Sequence, residues 1–465
     1  MGHTLRAGEN PLAYEKISRL VRKFAVPSII AMLVTALYNI VDQIFIGQGV
    51  GMLGNAATNV AFPLTAICIA SALLLGVGGV SNFNLQLGAG NNEKAAHFLG
   101  NTIMMLFLTG TVLMIIVRTF LKPLMLLFGA TEQILPYAME YAGITSYGFP
   151  FLILSNGMCN QIRGDGSPRY SMFCMLIGAV INTVLDPVFI FGFDMGIKGA
   201  ALATVISQII SCIIAVAYIP KFKTVKLKRS MFVLDAKIAG AIISLGAASF
   251  FNHIAMMIVQ VVMNNTLTYY GAMSSYGSEI PLACVGIISK VNMIFFSVAV
   301  GLSQGCQPII GFNYGAKNYA RVKQTLKLAM FTATVILTCS EVFFQLFPRQ
   351  IVSIFGEGSD EYFRFAERFF RIYVSMFFIN GIQPVVSNFF SSIGKAYKGI
   401  IMSLTRQVIF LLPLLIVLPM AMGIDGVMYA GPIADFAAAM LTGFLVLREI
   451  KTMNRLEAEK NAAGL

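Results

Sequence analysis

The sequence predicts an all-α membrane protein: twelve transmembrane helices in two pseudo-symmetric lobes of six. Three observations carry that prediction. The 465-residue chain is 57% hydrophobic and only 12% charged, roughly half the charged share of a soluble globular protein. Apolar runs of at least 18 residues, each long enough to cross a bilayer, recur along its whole length. The chain also partly matches itself when shifted by 227 residues.

The runs fall near 24–47, 57–82, 97–117, 135–160, 170–192, 197–219, 237–268, 281–309, 324–347, 366–391, 397–419 and 422–447. They divide the chain into an N-tail (1–23), a first lobe (24–219), a basic linker (220–236), a second lobe (237–447) and a C-tail (448–465). The first run is too long for a signal-peptide core and lacks a small-residue cleavage site, so it is expected to stay as the first span. The opening MGHTLR departs from the myristoylation pattern at Arg6.

Twelve spans put both termini on one side, and basic residues say which. With the termini inside, the inner segments hold 24 Lys and Arg. The outer ones hold seven: Arg118, Lys122, Lys198, Arg349, Arg364, Arg368 and Arg371. Cytoplasmic loops carry the excess of basic residues, so both termini are expected in the cytoplasm. The same rule accounts for the net charge of +12. No Lys/Arg-rich tract is interleaved with aromatics, which excludes nucleic acid as a partner. The seven cysteines (Cys68, Cys159, Cys174, Cys212, Cys284, Cys306 and Cys339) all fall in apolar spans without metal-ligand spacing, so no disulfide framework is expected.

The self-match places LGAGNNEK (87–94) on YGAKNYAR (314–321), and Phe128-Gly129 on Phe355-Gly356. It also places Gly196-Ile197-Lys198-Gly199 on Gly423-Ile424-Asp425-Gly426, Tyr170 on Tyr397, and Gly78 on Gly305. One offset serves sites about 120 residues apart. Six spans per half give both halves the same topology, a parallel repeat whose substrate site belongs between the halves.

Charges inside a membrane are expensive and mark cavities or partners. The candidates are Asp42, Asp186, Lys290, Glu341, Arg406 and Asp435. Asn182 lies four residues before Asp186, on the same helix face. Pro187 follows at once and frees the Thr183 carbonyl, so oxygens gather there. Pro27 lies upstream of Asp42 and gives that helix a place to bend. Two readings of the aspartates stand: a site for a hard cation or a proton, or acids paired with a base to fix packing. Glu341 and Asp435 are expected near enough to an interface to be solvated. Lys290 and Arg406 either snorkel, pair with an acid or face the cleft. Candidate cleft residues are Tyr38, Asn39, Gln260, Asn264, Lys290 and Arg406. The repeat does not duplicate the acids: Asp42 falls on Tyr269 and Asp186 on Pro413. The 26 Met and 37 Phe are read as packing and lipid-facing residues, with a weaker hint of a promiscuous binding surface.

Three segments resemble the MATE (multidrug and toxic compound extrusion) family: Pro27 with Asp42 and Gly47 in the first span, NTVLDPVFIFGFDMGIKGAALATVISQ (182–208), and GLSQGCQPIIGFNYGAKN (301–318). The last is most similar to the bacterial MepA-like branch. The resemblance covers nearly the whole chain. It implies two six-helix lobes in a V, and an antiporter that exports cationic, amphipathic organic compounds in exchange for Na+ or H+. It implies a cation site at Asp42, Asn182, Asp186 and Thr204, with movement at Pro27. It also implies a monomer in the bacterial inner membrane, with no cofactor beyond the coupling ion. Some branches carry acids in spans 7 and 10. Here span 7 has none, and span 10 has Glu367 only at its outer end.

The runner-up is a flippase for a lipid-linked precursor, from the same superfamily, for which Lys290 and Arg406 would supply a basic cleft. An enzyme is not expected, because HExxH, GxSxG and P-loop patterns are missing and His3, His97 and His253 are scattered. No filter-like segment points to a channel.

Overall fold

The computed structural model describes residues 10–277, 279–353 and 359–462. His3, Arg6 and the pair Phe355-Gly356 lie outside the described residues.

Every predicted span has a helical counterpart. They are α1 (Ile17–Gly49), α2 (Met52–Gly88), α3 (Asn92–Thr119), α4 (135–164), α5 (Pro168–Gly192), α6 (Gly196–Val216), α7 (Ala236–Ala272), α8 (Glu279–Gly315), α9 (Tyr319–Leu346), α10 (360–392), α11 (Ala396–Met422) and α12 (Ile424–Ala462). Ten are single helices long and apolar enough to cross a membrane. Two are interrupted. A 3-10 turn at Ser146–Gly148 joins the segments of α4. The segments of α10, Asp360–Tyr373 and Phe377–Ser392, meet at a 52° bend. Glu341 of α9 holds that bend: its Oε2 accepts from the backbone N–H of Phe378 at 3.0 Å, an amide with no partner inside its own helix.

Hydropathy measures membrane thickness, so it misses the polar extensions of helices. The expected C-tail is helical through Ala462 because it continues α12. Strong helix formers fill it, and Arg455 pairs with Glu459 one turn on, at 2.8 Å. Glu449, fully buried, takes both Lys395 and Lys398.

The repeat is written in the backbone. Gly90 (φ 79°) and its counterpart Lys317 (φ 56°) both adopt the left-handed conformation after α2 and α8. Gly196 (φ 52°) and Gly423 (φ 60°) do so ahead of α6 and α12. A lysine at such an angle is uncommon, so the turn geometry is retained where the glycine is not.

The halves share one apolar core at the end that carries the termini. There Phe24, Phe83 and Ile103 pack in one cluster with Ile242, Ile309, Val322 and Phe389. At the opposite end the core divides. One cluster there holds only second-half residues, such as Val259, Val285, Phe344 and Val427. A small one holds Ile46, Ile190 and Ala200 of the first half. The halves therefore join at one end of the bundle and part at the other.

Glycines make the join. Gly78 of α2 faces the Ile242 carbonyl of α7 so closely that a Cβ there would stand 1.9 Å from its oxygen. A Cβ on Gly246 would stand 1.7 Å from the Leu74 oxygen. Gly88 and Gly315 make the same reciprocal contact between α2 and α8. Without a hydrophobic drive between helices in lipid, such close backbone approach supplies the packing.

The linker is clipped to the first half. Asp165, 3% exposed in the turn between α4 and α5, accepts from the Tyr218 hydroxyl (2.7 Å), the Lys223 N–H (2.9 Å), the Thr224 N–H (2.9 Å) and the Thr224 hydroxyl (2.6 Å). Burial pushes its carboxyl above the usual carboxylate range, and these hydrogen bonds pull it part of the way back. Further along, Asn101 of α3 donates to the Met231 and Val233 carbonyls. Asp165→Ala strands several buried donors and should destabilise the fold by about 2–4 kcal/mol. Thermal unfolding in detergent, with trypsin cleavage at the linker lysines, measures this; an unchanged protein would show that the clip is idle.

Candidate functional site

Near the end where the halves part, four first-half helices converge on a small group of oxygens. α5 brings Asn182 and Asp186, 2% and 0% exposed. The Asn182 amide donates to Asp186 Oδ1 at 3.2 Å and to Thr204 Oγ1 of α6 at 3.5 Å. α1 brings Asp42, whose carboxyl lies within hydrogen-bonding reach of the Asp186 carboxyl. Tyr141 of α4 lies near both aspartates and packs against the Ile46, Ile190 and Ala200 cluster. Asp42 Oδ1, Asp186 Oδ2 and Asn182 Oδ1 are buried with no hydrogen-bond partner among the described residues.

Local sequence builds this geometry. After Pro187 the helix widens into a π-helical turn, Val188–Gly192, as expected where a proline removes an amide from the ladder. Gly49 lets the end of α1 settle on that turn: a Cβ there would stand 2.1 Å from Ile190 Cγ2. Ile46, Ile190 and Ala200 then close over the site.

The four residues Asp42, Asn182, Asp186 and Thr204 thus come together. Tyr38, foreseen at the cleft, also sits close to both aspartates. Tyr141 was missed, since a tyrosine near the start of a span reads as an interfacial anchor. Pro27 is buried inside an unbroken α1, between Ala25 and Ile29, which press on Gly305 and Gly301 of α8. Asn39 is exposed and donates to the Thr35 carbonyl at 2.7 Å. Gln260 donates to Asn264 at 2.9 Å along α7, and Lys290 is exposed on α8.

Asp435 departs from expectation. It is 5% exposed and ion-paired with Arg406 of α11, not solvated at an interface. α11 and α12 are adjacent, and a π-helical stretch of α11, Thr405–Leu411, carries Arg406. Glu341 is half-buried and committed to the α10 bend.

Oxygens from two carboxyls and an amide, left over after internal pairing, with the Thr204 hydroxyl beside them, form a donor set for a proton or a hard cation.

The MatE family model matches this chain twice, at residues 27–188 and 253–417, starting close to the 227-residue offset of the internal repeat. The chain belongs to the MATE family. It is a membrane transporter, not an enzyme. "Multidrug export protein MepA" of Staphylococcus haemolyticus is 27% identical over 96% of both chains. An "FAD transporter" of Shewanella oneidensis is 25% identical over 93% of this chain and 95% of that one. Among solved structures, the "MATE multidrug transporter DinF-BH in complex with R6G" is 32% identical, with a TM-score of 0.85 over 92% of this chain and 95% of that one. A MATE family transporter in an "outward-facing conformation" gives a TM-score of 0.88 at 23% identity, covering 96% of this chain and 98% of that one.

Proposed function

We propose that this MATE transporter is a secondary multidrug exporter: it extrudes small cationic, amphipathic organic compounds in exchange for Na+ or H+ that enters at Asp42, Asn182, Asp186 and Thr204. The observation that carries the reading is the placement of two carboxyls against each other in a buried site with three unpartnered oxygens. Two adjacent carboxylates repel unless a proton or cation lies between them. Relatives named for multidrug export support the substrate class. The protein acts as a monomer in the bacterial inner membrane. Its termini are cytoplasmic, its lobes run from 24 to 219 and from 237 to 447, and the parted end of the bundle faces outward.

The mechanism follows from differential affinity. With the halves parted, the site is reached from outside and takes its ion. Neutralising the carboxyls lowers the cost of burying them, so α1 bends at Pro27 and repacks on α5 and α6. The drug site between the halves, near Gln260, Asn264 and Lys290, loses affinity for its own cation as the new one binds. The flippase alternative needs a basic cleft, and Arg406 is already neutralised by Asp435.

Purified protein in vesicles, with sodium and proton gradients varied independently, tests the proposal. A cationic dye, FAD and a labelled lipid serve as separate cargoes. Dye movement driven by one gradient is expected. Movement of FAD or lipid alone would replace the substrate class, and transport indifferent to both gradients would sink the exchange.

A further inference from the structure

The second half has its own buried charged site, and it is already filled. α10, α11 and α12 stand in the repeat where α4, α5 and α6 stand in the first half. In the first half those helices bring Tyr141, the Asn182–Asp186 pair and Thr204. In the second they bring Tyr373, Arg406 and Asp435, which the 227-residue offset sets on Ser146, Ala179 and Gln208, so the second group lies one to two turns from the matching positions. Both α5 and α11 carry a π-helical turn. Gly431, counterpart of Thr204, packs on the Tyr373 ring, a Cβ there standing 2.8 Å from it. Asp435 lies one turn beyond Gly431. Where the first half leaves carboxyl oxygens without partners, the second places a guanidinium on its carboxylate.

The surroundings fit a cation's place. Asn380 of the α10 bend is 8% exposed, and its Oδ1 has no partner among the described residues. It lines a small cavity with Gln383, Arg406, Asp435 and Thr442. Gln383 is committed to the Met402 carbonyl at 2.9 Å, and Thr442 to the Ala438 carbonyl at 2.7 Å. Tyr373 of α10 and Glu341 of α9 are the other titratable groups near Asp435.

We propose that Arg406 is a built-in cation. It neutralises the buried carboxylate of the second half, one to two helical turns along α11 and α12 from the positions that match Asp186 and Thr204, and leaves the transporter one exchangeable cation site. The inference rests on the reading of Asp42, Asn182, Asp186 and Thr204 as the coupling site. A tethered guanidinium does not dissociate, so Asp435 cannot exchange ions with either side. Breaking such a buried pair from one side leaves an uncompensated carboxylate, which then recruits Na+ or H+ from solution.

Counting ions on purified protein in lipid nanodiscs tests this. Bound Na+ is read with a radioactive tracer, and bound protons by release into weak buffer on substrate addition. The wild type is expected to hold one exchangeable ion, Arg406→Gln two, and Arg406→Gln/Asp435→Asn one, with substrate exchange intact. An unchanged count in Arg406→Gln overturns the proposal. So does loss of the ion or of exchange in the double variant, which stays informative should Arg406→Gln fail to fold, because its pair is neutral. The Asp42→Asn/Asp186→Asn variant separates the two readings. If it keeps the wild-type ion, the first-half site is wrong, whatever Arg406 does.

Discussion

Asp186→Asn is expected to abolish gradient-driven efflux while leaving a folded protein that still binds its substrates. The change is isosteric. It keeps an acceptor toward the Asn182 amide, now 3.2 Å away, and it removes the charge. Asp186 is fully buried, and one of its oxygens has no partner among the described residues. Burying an unpaired carboxylate is costly, so the amide should hold stability level or raise it. Coupling, in contrast, needs an ion whose affinity differs between two conformations, worth typically about 1–3 kcal/mol. Without the charge that difference vanishes and substrate no longer moves uphill. Asp42→Asn should give the same phenotype. Because the two carboxyls act as one unit, the double variant should be no worse than either single one. Uphill dye transport by Asp186→Asn at the wild-type rate would remove this site from the mechanism. Loss of substrate binding along with transport would make it structural.

The part of this site that was legible in the sequence is the part that is expensive. Carboxylates in apolar runs stand out, and the span of Asp186 placed Asn182 on the same face. The ring of Tyr141 carries no such cost and gave no signal. Likewise Arg406 and Asp435 were each visible as intramembrane charges, but their union was not. It depends on the packing of α11 on α12 and on the π-helical stretch Thr405–Leu411, which resets which side chains face which neighbour. Every run picked out by hydropathy lies on a helix, ten of them single and apolar enough to cross a membrane among the described residues, but their ends were misjudged, because α12 continues as a polar helix. Hydropathy also passed over the α10 bend, which is held by Glu341 from another helix, a contact invisible to any local pattern.

The glycine join yields the largest expected effect on the fold. Gly246→Leu should prevent the halves from assembling, or destabilise them by on the order of 3 kcal/mol. The first atom of the new side chain would stand 1.7 Å from the Leu74 carbonyl oxygen. That neighbour is backbone and cannot swing aside, so α2 and α7 must part by most of a side chain's thickness. Separation there also breaks the hydrogen bond from Asn82 to the Ala241 carbonyl, at 3.1 Å. Gly286→Leu on α8 is the control: it is exposed, with nothing within 4 Å of its added Cβ. It removes a poor helix former and should leave stability unchanged or slightly higher. Size-exclusion profiles and melting temperatures in detergent separate the two. A Gly246→Leu protein that melts like Gly286→Leu would mean that the halves are held by something other than this contact. The exchange proposed above needs a join that is dense at one end and absent at the other, so that rocking costs little. A residue without a side chain, packed directly on backbone, supplies that density without deep interdigitation that would resist the motion.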